Sequence, residues 1–269
     1  MVDVITTNSV TKLDERHRGH VLLGGSHGGV YAGYLAAKAQ VRAVVLNDAG
    51  VGKDQAGIGS LAYLEALGMA AATVSHASAR IGDGEDFLAR GVISHVNTIA
   101  AGLGCAAGQS CRDCAERLRG APAWRGVPPV YEESRTLLHG VPGAPEVWGL
   151  DSASLIAPAD AGHIVIAGSH GGLPGGVPGN ALRHPALAAV FNDAGVGIDH
   201  AGISRLPALD EMGIAAATVA ADSARIGDAR SAWETGHLSH VNRLAERAGG
   251  EPGLSTRAFV DLLLEHYRH

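Results

Sequence analysis

The feature that most constrains the fold of this chain is an internal repeat. When the sequence is shifted by 145 positions, NDAGVG at 47–52 aligns with NDAGVG at 192–197, and 29 of the 51 positions from Asn47 to Asn97 are identical. The tetrad Ser-His-Gly-Gly at 26–29 recurs at 169–172, an offset of 143. Because a solenoid needs three or more repeats, two copies predict a paired arrangement of one supersecondary unit.

We expect a first repeat over residues 1–120, a Pro-rich linker over 121–148 and a second repeat over 149–269. Prolines and glycines punctuate the middle stretch, as they do in loops. The two repeats are expected to pack as one compact domain with pseudo-two-fold symmetry, so that matching residues meet near the axis.

Each copy has the pattern βαβαβα. In the first copy we predict strands at 20–25, 42–48 and 69–75, and helices at 30–39, 60–68 and 83–103. Strands that alternate with helices predict an α/β protein with a mostly parallel, doubly wound, Rossmann-like sheet. About six strands in the order 3-2-1-4-5-6 would place the first strands of the two copies side by side. The stretch 173–187 carries three Pro and three Gly, which predicts a loop where the first copy has a helix.

The repeated polar residues follow predicted strands, where open α/β sheets bind ligands at the point of strand reversal. We therefore expect the two tetrads to face each other across one site. The candidate catalytic residues are Ser26, His27, Ser169, His170, Asp48 and Asp193. The candidate substrate-binding residues are Gly28, Gly29, Gly171, Gly172, Arg80, Arg225 and Lys53.

One interpretation of the tetrad is nucleophilic. Residues 24–28 satisfy G-x-S-x-G, and VLLGGSHGGVYAGYLAA resembles the nucleophile elbow of α/β hydrolases over about 17 residues. The resemblance implies a reactive serine on a sharp strand-to-helix turn. The second copy departs from the pattern because it begins Ala167-Gly168. A histidine base would come from elsewhere: His76, His95, His170 or His240.

Three other interpretations remain open. Backbone N–H groups of a Gly-rich turn at a helix N-terminus bind carboxylate or phosphate, and the same amides can form an oxyanion hole. A strand, a Gly-rich turn and Asp48 about 20 residues on is the outline of a dinucleotide site, although GGSHGG lacks the G-x-G-x-x-G spacing. Histidines and aspartates at strand ends are also metal ligands. Against all of these, Asn and Asp after a strand often only cap the next helix.

Several other residues have two interpretations each. Arg80 and Arg225 either clamp a substrate carboxylate or pair with Asp83 and Asp228. His95 and His240 are expected inside helices, in core or capping roles. Cys111 and Cys114 form a lone CxxC that aligns with Thr256 and Phe259, and we interpret both as packing residues.

The alignment also shows where the copies differ in ionisable residues. Lys53 faces Ile198, and His76 faces Ala221. A desolvated lysine can act as a base or form a Schiff base, although a solvated loop lysine is more common. Such differences mark the asymmetry expected if one of two ancestral sites became specialised.

Composition excludes several partner classes. The net charge is −6 with only three lysines, so neither a nucleic acid nor an anionic membrane is expected as a partner. The start MVDVITTNSV lacks the pattern of a signal peptide, which, with three clustered cysteines, predicts a cytoplasmic protein with reduced thiols.

These observations predict an enzyme, foremost a hydrolase, acting on a small polar, carboxylate-bearing metabolite in the crevice formed by the two repeats. Neither a cofactor nor a metal is expected, and a homo-oligomer is left open. The alternatives are a nucleotide-dependent, Rossmann-like oxidoreductase and a non-catalytic protein that binds a small anion.

Overall fold

The computed structural model describes residues 1–267 and divides the chain into two compact units. Unit 1 comprises Met1–Val51, Gln55–Glu132 and Val196–Ala201. Unit 2 comprises Gly52–Asp54, Glu133–Gly195 and the chain from Gly202 onward. Each unit therefore contains a short segment that belongs to the other repeat in sequence.

Unit 1 contains one five-stranded sheet in the order β1-β2-β3-β4-β5. The strands are β1 Val4–Thr7, β2 Val21–His27, β3 Ala43–Asn47, β4 Ala70–Val74 and β5 Ile93–Val96. The helices are α1 Val30–Lys38, α2 Gly59–Ala66, α3 Gly84–Arg90, α4 Thr98–Gly102 and α5 Cys111–Leu118. The first four strands run parallel, and β5 pairs antiparallel with β4.

Both faces of this sheet are covered, which explains why its strands are apolar throughout. Leu22 and Leu46 face α1 and α2 in one core cluster. Leu23 and Val45 face α3, α4 and α5 in the other. All three cysteines are buried in this second cluster and form no disulfide, so the predicted packing role of Cys111 and Cys114 is confirmed.

Unit 2 contains a six-stranded sheet in the order β11-β10-β9-β8-β7-β6. The strands are β6 Arg135–His139, β7 Val147–Leu150, β8 Ile164–His170, β9 Ala188–Asn192, β10 Ala215–Val219 and β11 Leu238–Val241. The helices are α6 Arg205–Glu211, α7 Ala229–Thr235, α8 Arg243–Arg247 and α9 Thr256–His266. Strands β7 to β10 are parallel, and the two outer strands pair antiparallel.

The crossover from β8 to β9 has no α-helix, as its prolines predicted; it contains the 3-10 turns Pro174–Gly176 and Pro178–Asn180. Buried Arg205 holds this loop by donating from Nε to the carbonyl oxygen of Gly172 (3.0 Å) and from Nη1 to that of Ala181. Burial lowers the pKa of Arg205 to about 10.

The α/β class and the mostly parallel pairing are confirmed, but the predicted strand order 3-2-1-4-5-6 is wrong. In the described residues the strands form two separate sheets, and in each the four strands of the repeated core lie side by side in chain order. The two tetrads therefore end strands of different sheets, and neither sheet has the strand reversal expected at the site.

A second correction concerns residues 83–103, which we predicted as one helix. The segment contains α3, then β5, then α4. Gly91 ends α3, and the alternating residues that follow form an edge strand. His95 and its copy His240 accordingly lie on β5 and β11, not inside helices.

Among residues 1–267, no helix is both long and apolar enough to cross a membrane.

Candidate active site in unit 1

The carboxyl edge of the unit 1 sheet gathers three of the ionisable side chains considered above. His27 ends β2 and is in register with Asn47 at the end of β3, which is in register with Val74 at the end of β4. Asp48 directly follows β3, and His76 follows β4 by two residues. Parallel pairing thus brings His27, Asp48 and His76 to one edge.

Asp48 and His76 form a hydrogen-bonded pair. His76 Nδ1 lies 2.8 Å from Asp48 Oδ1, which also accepts from the backbone N–H of His76 at 2.9 Å. Because an ionised carboxylate only accepts, we assign the proton to Nδ1, and the basic lone pair of neutral His76 is then on Nε2. The His76 side chain is 29% exposed whereas that of Asp48 is 4% exposed.

The charge on Asp48 is stabilised within the protein. Burial by itself would raise the pKa of Asp48, but hydrogen bonds from the side chain and backbone of His76 outweigh it, and the pKa is lowered. The Ser94 hydroxyl also lowers the pKa of Asp48, and its Oγ lies 3.0 Å from Thr73 Oγ1. Asp48 is therefore ionised at neutral pH and orients His76, the arrangement of the Asp–His half of a catalytic triad.

His27 is held in the other tautomer. Its Nδ1 accepts a hydrogen bond from the backbone N–H of Gly29 at 3.2 Å, which places the ring proton on Nε2. Burial lowers the pKa of His27 to about 4, so the ring is neutral at neutral pH. A neutral histidine with its proton on Nε2 can donate to an oxygen that gains negative charge.

The tetrad serines are engaged by the backbone. Ser26 Oγ accepts from the N–H of Val10 at 3.1 Å, and Ser169 Oγ accepts from that of Ala153 at 3.0 Å. Both serines lie within strands, and neither has the positive φ of a strained turn residue. This geometry favours a role in holding the N-terminal 3-10 turn of each repeat over one in nucleophilic attack.

The glycines of the tetrads are also engaged internally. The Gly28 N–H donates to the carbonyl oxygen of Asn47 at 2.7 Å, and that of Gly29 donates to His27. Gly171 and Gly172 make the equivalent bonds to Asn192 and His170. Anion binding by the first tetrad would thus use the first-turn N–H groups of α1, for which unit 2 has no equivalent helix.

Asn47 and Asn192 have structural roles. Their Nδ2 groups donate to the carbonyl oxygens of Ala79 and Ala224, and their Oδ1 atoms accept from the N–H groups two residues on. These bonds fix the turn after each second strand, so both asparagines hold a turn and not the first turn of a helix.

The predicted substrate clamps are ion-paired within their units. Arg80 pairs with Asp199 at 2.9 Å and lies 4.0 Å from Asp83. Arg225 pairs with Asp54 at 3.0 Å and with Asp228 at 3.1 Å. Both arginines therefore contact aspartates, as the second of their two interpretations predicted.

Lys53 is likewise engaged within unit 2. Its Nζ donates to the hydroxyl of Thr235 at 2.9 Å and to the carbonyl oxygen of Ser223 at 3.3 Å. Lys53 therefore belongs to unit 2, whereas Asp48 and His76 belong to unit 1.

The NDAGVG loop has an unusual backbone. Ala49 and Val51 have φ of +49° and +61°, and their copies Ala194 and Val196 have +51° and +63°. Such left-handed conformations cost L-residues about 1–2 kcal/mol each. The turn closes with a hydrogen bond from the Val51 N–H to the Asp48 carbonyl oxygen at 2.7 Å, which directs Asp48 back over the sheet edge.

Sequence reasoning named His76 only as one of several possible bases and did not link it to Asp48. The usable signal was the difference between the copies, because Asp193 of unit 2 has Ala221 where Asp48 has His76. The segment Val196–Ala201 was not predicted from the sequence to be a part of unit 1. There the N–H of Ile198 donates to the carbonyl oxygen of His76 at 2.9 Å.

In the described chain, no group of three or more His, Cys, Asp or Glu side chains is arranged to hold a metal ion. Neither a protein-family model, nor a curated protein, nor a solved structure matches this chain. Its site is therefore interpreted from its own geometry.

Proposed function

We propose that the protein is an enzyme that works by general acid–base catalysis, a hydrolase of a small polar metabolite, with its catalytic groups in unit 1. The observation that carries this proposal is the buried, ionised Asp48 hydrogen-bonded to His76 Nδ1 at 2.8 Å. A carboxylate that fixes the tautomer of a histidine and stabilises its protonated form is how hydrolases build a general base.

The roles of the two histidines follow from the ring nitrogen that carries the proton in each. His76 Nε2 takes a proton from a water molecule, whose oxygen attacks the substrate carbonyl carbon. Asp48 stabilises the imidazolium that forms. The bond between the carbonyl carbon and the leaving group then breaks, and the leaving group takes the proton from His76. His27 donates from Nε2 to the carbonyl oxygen as it becomes negative. The serines are not needed as nucleophiles in this scheme.

The proposed substrate class is a carboxylate-bearing metabolite. Helix α1 begins directly after Gly29, and its N-terminus carries a partial positive charge that favours an anionic group. A substrate carboxylate at this helix end would bring its reacting carbonyl toward His27.

The experiment is a hydrolysis screen with short-chain p-nitrophenyl esters and monoesters of small dicarboxylic acids. His76→Gln and Asp48→Asn are each expected to lower kcat by about 10²–10⁴-fold. The control is His139→Gln, at an exposed position of β6, which should keep wild-type kcat.

Two outcomes would contradict the proposal. The absence of any hydrolysis above the buffer rate across the panel would refute the hydrolase assignment. An unchanged kcat in folded His76→Gln would refute the assignment of the base.

A further inference from the structure

Unit 2 preserves the backbone frame of the Asp48–His76 pair but not its imidazole. The N–H of His76 donates to Asp48 Oδ1 at 2.9 Å, and the N–H of Ala221 donates to Asp193 Oδ1 at the same distance. The duplicated aspartate is therefore held in the same way, with a methyl group where unit 1 has a ring.

The hydrogen bond to the main-chain carbonyl oxygen of His76 is also reproduced at Ala221. In unit 1 the N–H of Ile198 donates to the His76 carbonyl oxygen at 2.9 Å, and in unit 2 that of Lys53 donates to the Ala221 carbonyl oxygen at 2.8 Å. Both hydrogen bonds of the frame are preserved. An N–H group placed beyond the Ala221 methyl would therefore donate to Asp193 as His76 Nδ1 donates to Asp48.

Asp193 is 5% exposed, and within residues 1–267 its carboxylate accepts hydrogen bonds only from two main-chain N–H groups, both at Oδ1. Two cationic side chains of unit 2 have other partners: Lys53 donates to Thr235, and Arg225 pairs with Asp54 and Asp228. A buried carboxylate without a cationic partner is costly, and binding a cation would recover that cost.

We propose that Asp193 and Ala221 form a second binding site, in unit 2, for a small organic cation with N–H donors, such as an imidazolium or a primary ammonium group. The ligand nitrogen donates to the Asp193 carboxylate in the place that His76 Nδ1 has in unit 1. This site binds without turnover because it has no histidine at position 221, and it is independent of the reaction proposed for unit 1.

The probes are imidazole and methylammonium, followed by saturation-transfer NMR on the probe. Wild-type protein should bind both at millimolar concentrations. Asp193→Asn should weaken binding by about tenfold or more, because it removes the charge from the hydrogen bond. Ala221→His should abolish binding of imidazole, since the tethered ring takes the same place.

Asp48→Asn is the matched control in unit 1 and should leave the affinity for both probes unchanged. The proposal is overturned if neither probe binds, or if either folded unit 2 variant binds imidazole as the wild type does. Because Ala221→His copies an arrangement that unit 1 already contains, it supplies a folded variant even if Asp193→Asn does not. All of these readouts are binding measurements, so they stand whether or not unit 1 proves to be a hydrolase.

Discussion

At the scale of single residues, two histidines at one sheet edge differ in the ring nitrogen that carries the proton. His76 receives its orientation from a carboxylate, whereas His27 receives it from a backbone N–H group. The partner of Nδ1 decides which ring nitrogen carries the proton, and therefore whether Nε2 accepts or donates. Residue type alone does not distinguish the two roles.

The neutral state of the half-buried His27 predicts a pH dependence of stability. Its folded-state pKa of about 4 lies below the ordinary value of 6.5, so the unfolded chain takes up the proton first as pH falls. Stability from this source is fully present above pH 6.5 and is lost between pH 6.5 and 4, by at most about 3 kcal/mol. In urea unfolding at stepped pH, His27→Gln should flatten the acid-side loss.

The control for that measurement is His139→Gln, which changes an exposed histidine and should keep the wild-type slope. If His27→Gln and wild type lost stability in parallel from pH 6.5 to 4.5, His27 would not be the neutral group described above.

The two glycines of the first tetrad, Gly28 and Gly29, predict different outcomes on replacement by alanine. A Cβ on Gly28 would lie 2.4 Å from the carbonyl oxygen of Gly57, so Gly28→Ala should destabilise by about 1–3 kcal/mol. A Cβ on Gly29 would lie 2.8 Å from the His27 ring, and φ of −69° at this position suits alanine. Gly29→Ala should therefore displace the ring, with a change in unfolding free energy below about 1 kcal/mol.

The two variants are compared by thermal unfolding and, once a substrate is known, by kcat. We expect Gly29→Ala to lose at least about tenfold in kcat, since it misplaces the His27 ring that we propose as the oxyanion donor. An equally destabilised pair would show that the glycines serve packing alone.

At the scale of elements, the left-handed loops are where the chain stores strain. Gln55 is exposed with φ of +58°, and its counterpart His200 is exposed with φ of +55°. A side chain there costs about 1–2 kcal/mol, whereas glycine loses about 0.5–1 kcal/mol through its extra freedom in the unfolded chain.

Gln55→Gly should accordingly raise Tm by about 1–3 °C, against the usual direction for a glycine substitution. Gln55→Ala retains Cβ and should leave Tm unchanged. Calorimetry of both variants tests the idea, and a lower Tm for Gln55→Gly would count against a strained loop.

The strands and helices also show which elements the local sequence pattern predicts. The strands β2, β3 and β4 and the helices α1 and α2 were predicted within a few residues, because each is a continuous apolar or helical run closed by Gly, Asn or Asp. Strand β5 was missed because Ile93–Val96 is short and its strand state depends on pairing with β4. Strands β1, β6 and β7 were missed for the same reason, since strands of four or five residues gain their stability from a neighbour.

At the scale of the whole molecule, the two copies share one backbone frame, which carries His76 in unit 1 and Ala221 in unit 2. If the frame is what positions the base, moving the histidine should move the activity. The double variant His76→Gln/Ala221→His is expected to regain part of the hydrolysis lost in His76→Gln, with a higher KM because unit 2 lacks the helix that follows the first tetrad.

This prediction is checked by steady-state kinetics on the double variant, with His76→Gln/Ala221→Gln as the matched control. Recovery in both double variants would mean that the imidazole at position 221 is not responsible. Recovery in neither, with the fold intact, would show that the unit 2 frame lacks another part of the site.

The sequence by itself determined that the chain is a duplicated α/β protein, that its strands are mostly parallel, and that the second copy has a loop in place of the first crossover helix. These follow from local composition and from identity in the copies. Only the tertiary structure decided that the strands form two sheets, that Arg80 and Arg225 are ion-paired, and that Asp48 pairs with His76. Each of those facts depends on which backbone neighbours a side chain meets across a turn or strand, and that proximity is created by folding.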